Sequence, residues 1–430
     1  MRYVIIALLL LATQVQAQLE ITQWQTPEGA KVLFTQTKGL PILDIQLNFD
    51  AASSRDGDKH GVASLTNALL GTATNYKNEE QIINAFESVG AQFSSSSLKD
   101  MAIVSLRTLT RQPILKQALD TLTEVVTQPV FKQSYLTREK RQTLRAITAA
   151  KQSVSSVATL AFDEAVFGDH PYAHPKIGTQ AKVDKISLSD INQHYQTFYV
   201  AKNLTIALVG DISQVEAKQI ARQISHGLNI GVRASANEKV LPLNQSQSIH
   251  VEFPSKQTHL LIGQTGVNRS HPDYYALYLG NHIFGGSGLT SILSNEVREK
   301  RGLAYSAYSY FTKMRSNGFF MMRMQTKNAQ ASKAKDIALN TLKKFVKNPI
   351  DAQKLQDGKD NIIGGFALET ASNANILTYL SIMGFYDLPL NYLSGFTDKI
   401  KDISANDIQK AYQRLIDTEK LIVLTVGAKK

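Results

Sequence analysis

A long internal repeat restricts the fold more than any other feature of the chain. Ile186-Ser187-Leu188-Ser189-Asp190-Ile191 returns as Ile403-Ser404-Ala405-Asn406-Asp407-Ile408, 217 residues later, from 186 to 403. Both copies go on to a tyrosine and a glutamine, Tyr195-Gln196 and Tyr412-Gln413. Both then enter an apolar run ending in glycine, Leu204 to Gly210 and Leu421 to Gly427, still in register. A weaker match lies earlier: Glu87-Ser88-Val89-Gly90 corresponds to Glu299-Lys300-Arg301-Gly302, now 212 residues apart. Each glycine stands where a helix would end, since glycine takes a positive φ without a Cβ clash. The spacing is far above the roughly 20–50 residues of solenoid repeats. The chain is therefore expected to hold two copies of one domain.

Each copy mixes two periodicities. Lys31–Phe34, Leu43–Phe49 and Ala102–Leu106 read as strands, and the second alternates apolar with polar residues, as a half-solvated strand does. Lys116–Thr127, Tyr135–Lys151 and Val215–His226 read as helices. Strands in pairs separated by long helices give an α+β class, each domain a mainly antiparallel sheet with helices packed on one side. Gly, Asn, Ser and Gln gather near 229–246, the expected linker between an N-terminal domain (18–228) and a C-terminal domain (247–430).

The first residues set the expected address. Met1-Arg2-Tyr3, an apolar run from Val4 to Ala12 and a small-residue step Val15-Gln16-Ala17 read as a signal peptide over 1–17. The run is about half the ~20 residues of a membrane-spanning helix, so no membrane insertion is expected after cleavage. The mature protein is expected to be exported, and periplasmic in a Gram-negative source. The chain has no cysteine, which excludes disulfides, thiolate metal sites and a lipidated N-terminus. Its net charge of +11 comes from scattered Lys and Arg, with no basic run, and no nucleic-acid partner is expected.

Two blocks carry chemistry. The first is Gly61-Val62-Ala63-Ser64-Leu65-Thr66-Asn67-Ala68-Leu69-Leu70-Gly71-Thr72. The second is Gly285-Gly286-Ser287-Gly288-Leu289-Thr290, continuing to Arg298-Glu299-Lys300-Arg301-Gly302-Leu303-Ala304-Tyr305. The glycine run lacks the Gly-Lys-Ser/Thr step of a phosphate loop and the spacing of a dinucleotide site, and reads as a small-residue turn. From spacing alone, Arg298 suits a cation at a helix C-terminus and Tyr305 a packed strand residue. His170-Pro171-Tyr172-Ala173-His174 places two histidines four apart, but Pro171 and Pro175 oppose a helix there. It is expected to be an ordered surface turn, and the other histidines to be surface or satisfied core residues.

In these blocks the chain resembles the insulinase/pitrilysin family of zinc peptidases. That family reads Gly-x-Ala-His-x-x-Glu-His where this chain has Gly61 to Ala68. The resemblance implies two α+β halves forming a processing-peptidase-like half clamshell. It puts two zinc-ligand positions at Ser64 and Ala68, the general base at Asn67 and the third ligand at Ala146, within one or two residues. None of these side chains suits its role: zinc takes three strong donors, and hydrolysis takes a base beside the bound water. The second block keeps the family's Arg/Tyr motif. In active members that pair reaches substrate backbone or the developing oxyanion near the zinc of the other half, and here it falls on Arg298 and Tyr305. Some bacterial relatives split these tasks between two chains. The resemblance thus implies a non-zinc-binding subunit of a heterodimeric zinc peptidase, with no cofactor of its own, a homologous zinc-binding partner and an unfolded peptide as substrate. A scaffold or peptide-binding protein of the same fold, and a self-sufficient metallopeptidase with atypical ligands, are the alternatives.

Overall fold

Residues 19–428 are described in the computed structural model; the expected signal peptide lies outside them. Six strands build the first sheet: β1 (Thr22–Gln25), β2 (Lys31–Gln36), β3 (Ile42–Phe49), β4 (Gln92–Ser97), β5 (Ala102–Leu109) and β6 (Leu204–Gly210), in the order β1-β2-β6-β3-β5-β4. Five build the second: β7 (Gln247–Glu252), β8 (Gln257–Thr265), β9 (Ala304–Phe311), β10 (Phe319–Lys327) and β11 (Ile422–Gly427), in the order β7-β11-β8-β10-β9. With β1 set aside, the sheets share one topology. In each, the first strand runs parallel to the last, β2 with β6 and β7 with β11, and all other pairings are antiparallel. The repeat extends to single hydrogen bonds. Ser187 and Asp190 form a capping box on one helix, and Ser404 and Asp407 form the same box on its counterpart. Residues 229–246 carry neither helix nor strand.

The helices of each half pack on one face of its own sheet, around Val32, Ile45, Leu47, Ile206 and Leu208 in the first half. The opposite face is not solvated, contrary to the alternation expected of β3. Asp44 and Asn48, its outward polar residues, are 4% and 0% exposed. The helix Asn373–Phe385, from the second half, lies across β2, β3 and β6. The reciprocal helix, Val154–Phe167 of the first half, lies across β8 and β11. Each half thus closes the other's sheet. The polar alternation survives because these side chains pair within the sheet: Arg107 Nε donates to Asp44 at 2.6 Å, and Gln46 Nε2 to Asn48 Oδ1 at 2.7 Å. At the crossing, Gly384 has no room for a side chain; a Cβ would lie 2.5 Å from both Leu33 and Thr205.

Burial also explains His194, on the helix Leu188–Phe198. Its Nε2 lies 2.9 Å from the Ala51 carbonyl, and burial pushes the ring down to about 4 from its ordinary 6.5. The unfolded chain therefore binds the proton first, and stability present above about pH 6.5 is lost as pH falls toward 4. Urea melts between pH 7 and 5 should show this loss, and His194→Gln should make it shallower. An unchanged slope in the variant would assign the loss elsewhere.

Candidate functional site

The helix Val62–Leu69 carries the first block, and the helix Gln133–Lys151 packs against it. The two helices that the resemblance requires to meet do meet. Their donors do not fit zinc. Ser64 is half-buried, while Ala68 and Ala146 end in methyl groups at exposed positions. Asn67 is 1% exposed and fully committed. Its Nδ2 donates to the carbonyls of Ser96 (2.8 Å) and Ile103 (3.3 Å), and its Oδ1 accepts from the Tyr199 hydroxyl at 3.0 Å. Where active relatives carry a base, this chain has a crosslink from helix to sheet. Among the described residues, no group of three His, Cys, Asp or Glu side chains could hold a metal ion.

The turn at His170 is not on the surface as expected. Tyr172 is 0% exposed; its hydroxyl donates to Asp100 Oδ1 at 2.6 Å and accepts from the Ser316 amide at 3.2 Å. Lys99 donates to the carbonyls of Tyr172 and His174. His170 Nε2 lies 2.9 Å from the Glu238 carbonyl. The turn therefore ties the first half, the connecting segment and the β9–β10 loop together; the apolar Tyr172 ring drives it inward, and its hydroxyl is satisfied there. His174 stacks on His60 at 3.9 Å, and burial lowers its ring to about 4. The two histidines of the turn serve different partners.

In the second half the structure brings Arg298 and Tyr305 together. Asn295–Glu299 forms a π-helical turn, a conformation found often at functional sites. Gly302, at φ 59°, reverses the chain into β9. This places the Arg298 guanidinium 4.9 Å from the centre of the Tyr305 ring. Arg298 does stand in the last turn of the helix, as its spacing suggested, but it is Arg301 that bonds a backbone carbonyl, its Nη1 donating to Glu296 at 2.7 Å; Arg298 lies beside Glu299 at 3.3 Å. Tyr305, expected as a packed strand residue, is 82% exposed, and its hydroxyl makes no hydrogen bond among the described residues. The pair offers a forked cation and a free phenol, two donors suited to a carbonyl or an oxyanion.

Two further tyrosines escape a reading by spacing. β9 bulges against β10, with Ala304 opposite Thr326 but Ala307 opposite Met324. The bulge shifts parity, so Ala304 and Ala307 both turn inward and Tyr305 and Tyr308 both outward. Tyr308 and Tyr310 stack at 6.1 Å. Tyr308 pairs across the sheet with Arg323, which donates to Ser155 Oγ at 2.6 Å on the crossing helix. A run of Tyr at 305, 308 and 310 near an edge was the available signal, hidden by the odd spacing.

Two similar α+β halves, with a degenerate first block and an intact second one, define a member of a peptidase fold without the peptidase's metal donors. The description "Insulinase (Peptidase family M16)" matches residues 31–180, and "Peptidase M16 inactive domain" matches residues 185–362. A Pseudomonas fluorescens structure titled as a peptidase M16 inactive domain superposes with a TM-score of 0.93 at 37% identity, covering 96% of this chain and 98% of that one. The chain belongs to the M16 family. It is 24% identical to the Helicobacter pylori "Non-peptidase homolog YmxG" over 94% of this chain and 93% of that protein. It is 23% identical to the Bacillus subtilis "Uncharacterized zinc protease YmxG" over 73% of this chain and 75% of that protein. The names differ in the activity they state; in this chain the donor set decides against a zinc site at the family positions.

Proposed function

We propose that this chain is the substrate-binding, catalysis-assisting subunit of a two-chain zinc peptidase. It is exported to the periplasm, and it places Arg298 and Tyr305 beside the metal centre of a homologous zinc-binding partner. The substrate is an unfolded peptide small enough to enter the chamber between the two chains. The observation that carries this reading is the contrast between the two blocks. The zinc positions hold Ser64, Asn67, Ala68 and Ala146, whereas Arg298 and Tyr305 stand together, with the tyrosine exposed and its hydroxyl unused. A scaffold has no chemical need for such a pair.

The test is peptidase activity on a quenched, unstructured peptide by this chain, by the homologous zinc-binding chain, and by their mixture, with and without a zinc chelator. Activity in the mixture alone, lost on chelation, is the expected result. A stable complex with no gain in activity would support a second reading, a peptide-binding protein without a catalytic role, which the name of the Helicobacter pylori relative favours. Activity of this chain alone, with stoichiometric zinc, would overturn both.

A further inference from the structure

We infer that a cavity where the two halves and their connecting segment meet binds a small oxyanion carrying two or more negative charges. This site is separate from Arg298 and Tyr305 and does not depend on the function proposed for them. The cavity is about 280 Å³ and is lined by Lys31, Lys202, Arg233, Arg315, Asp50 and Phe385, among others. Lys31 and Lys202 come from the first half, Arg233 from the connecting segment and Arg315 from the β9–β10 loop. Oxyanions are recognised by converging Lys and Arg donors of this kind.

The cations outnumber the acids. Asp387 takes Lys31 and, at 2.7 Å, Arg233. Asp50 takes Arg55 through two hydrogen bonds, 2.7 and 2.8 Å, and lies 3.4 Å from Arg315 Nε. Asp100, the next carboxylate, is turned to the Tyr172 hydroxyl and the Arg315 amide. Four cations therefore share two carboxylates, and a fifth stands beside them. Lys202 has no side-chain partner among the described residues. Its stem lies across Gly29, where a Cβ would come within 2.9 Å of Lys202 Cγ. Arg315 spends Nη2 on the Phe385 carbonyl (2.8 Å), while its buried Nε has no hydrogen bond, the Asp50 contact being out of line.

Asp387 is, among the described residues, the one non-glycine residue with a positive φ, 56°. Such a conformation is uncommon outside glycine and persists where surrounding contacts impose it. Here Lys31 and Arg233 hold the carboxylate at the cavity edge. A multivalent oxyanion would take the unused Lys202 and Arg315 donors and relieve repulsion among the cations.

The experiment uses the full mature chain, with inorganic phosphate as probe at an ionic strength fixed by chloride. Titration calorimetry should give one phosphate per chain, and the melting temperature should rise saturably with phosphate, as binding to the folded state requires. Lys202→Ala should weaken phosphate about tenfold, the loss of one charge-assisted bond. Lys202 has no ion-pair partner to lose and stands among other cations, so the phosphate-free melting temperature should hold or rise slightly as repulsion is relieved. Arg141→Ala, in an open groove on another surface, should bind phosphate as the unaltered chain does. No saturable response over chloride, or equal affinity in Lys202→Ala, would overturn the site.

Discussion

In the two-chain peptidase proposed above, Tyr305→Phe should lower turnover about 10²–10³-fold, the usual cost of losing one preorganised oxyanion donor, while zinc content, assembly and melting temperature stay unchanged. The substitution removes one atom. The ring remains, so its contact with Arg298 at 4.9 Å survives. The hydroxyl has no protein partner, so folding loses nothing when it goes. The loss should fall on kcat more than on KM, because a donor aimed at developing charge acts in the transition state. Arg298→Lys keeps the charge but replaces a planar fork with a point donor, and should also lose turnover. If Tyr305→Phe turns over as fast as the unaltered chain in a complex of equal stability, the pair is not catalytic and the scaffold reading takes its place.

What the sequence made legible follows from which interactions are local. The segments around Ser187 and Ser404 were legible as a repeat, and each closes a capping box within four residues. The repeat foretold a common topology because both copies carry the same order of apolar runs, and the two sheets pair alike. The unsuitable chemistry at Ser64, Asn67 and Ala68 was equally plain, since a missing donor needs no geometry. The substitute role of Asn67 was not, because its partners Ser96, Ile103 and Tyr199 are remote in the chain and meet it only in the fold. The crossing helices were hidden for a different reason. An apolar helix such as Asn373–Phe385, burying Ile376, Leu377, Leu380 and Met383, declares that it is covered but not by which sheet. The same gap misled the reading of β3, whose polar face meets a foreign helix and not water. The turn at Tyr172 was misplaced likewise, because its partner Asp100 lies on another loop and Ser316 in the other half.

The crossing helices lead to the largest expected effect on stability. Phe162→Ala should cost about 3–5 kcal/mol in urea unfolding, the range for a buried aromatic cut to a methyl group. Phe162 is 0% exposed, meets Phe319 of β10 edge-on at 5.3 Å, and packs with Leu261, Met321 and Leu424 of the second sheet. The side chain belongs to the first half and its cavity opens in the second, so the variant also measures how the halves depend on each other. Each sheet without the other's helix would expose an apolar face, Leu33, Ala207 and Val209 on one side and Leu261, Ile422 and Leu424 on the other. Neither half can keep such a face in water without losing much of its core, so a single cooperative transition, shifted as a whole, is expected. A cost below about 1 kcal/mol would mean the crossing contact is loose. Two separated transitions would mean that each half holds its own core and the helices only lean on their neighbours. A single shifted transition would mean that neither half holds its core alone: the half without metal donors supplies the helix that closes the sheet whose edge strand carries Tyr305.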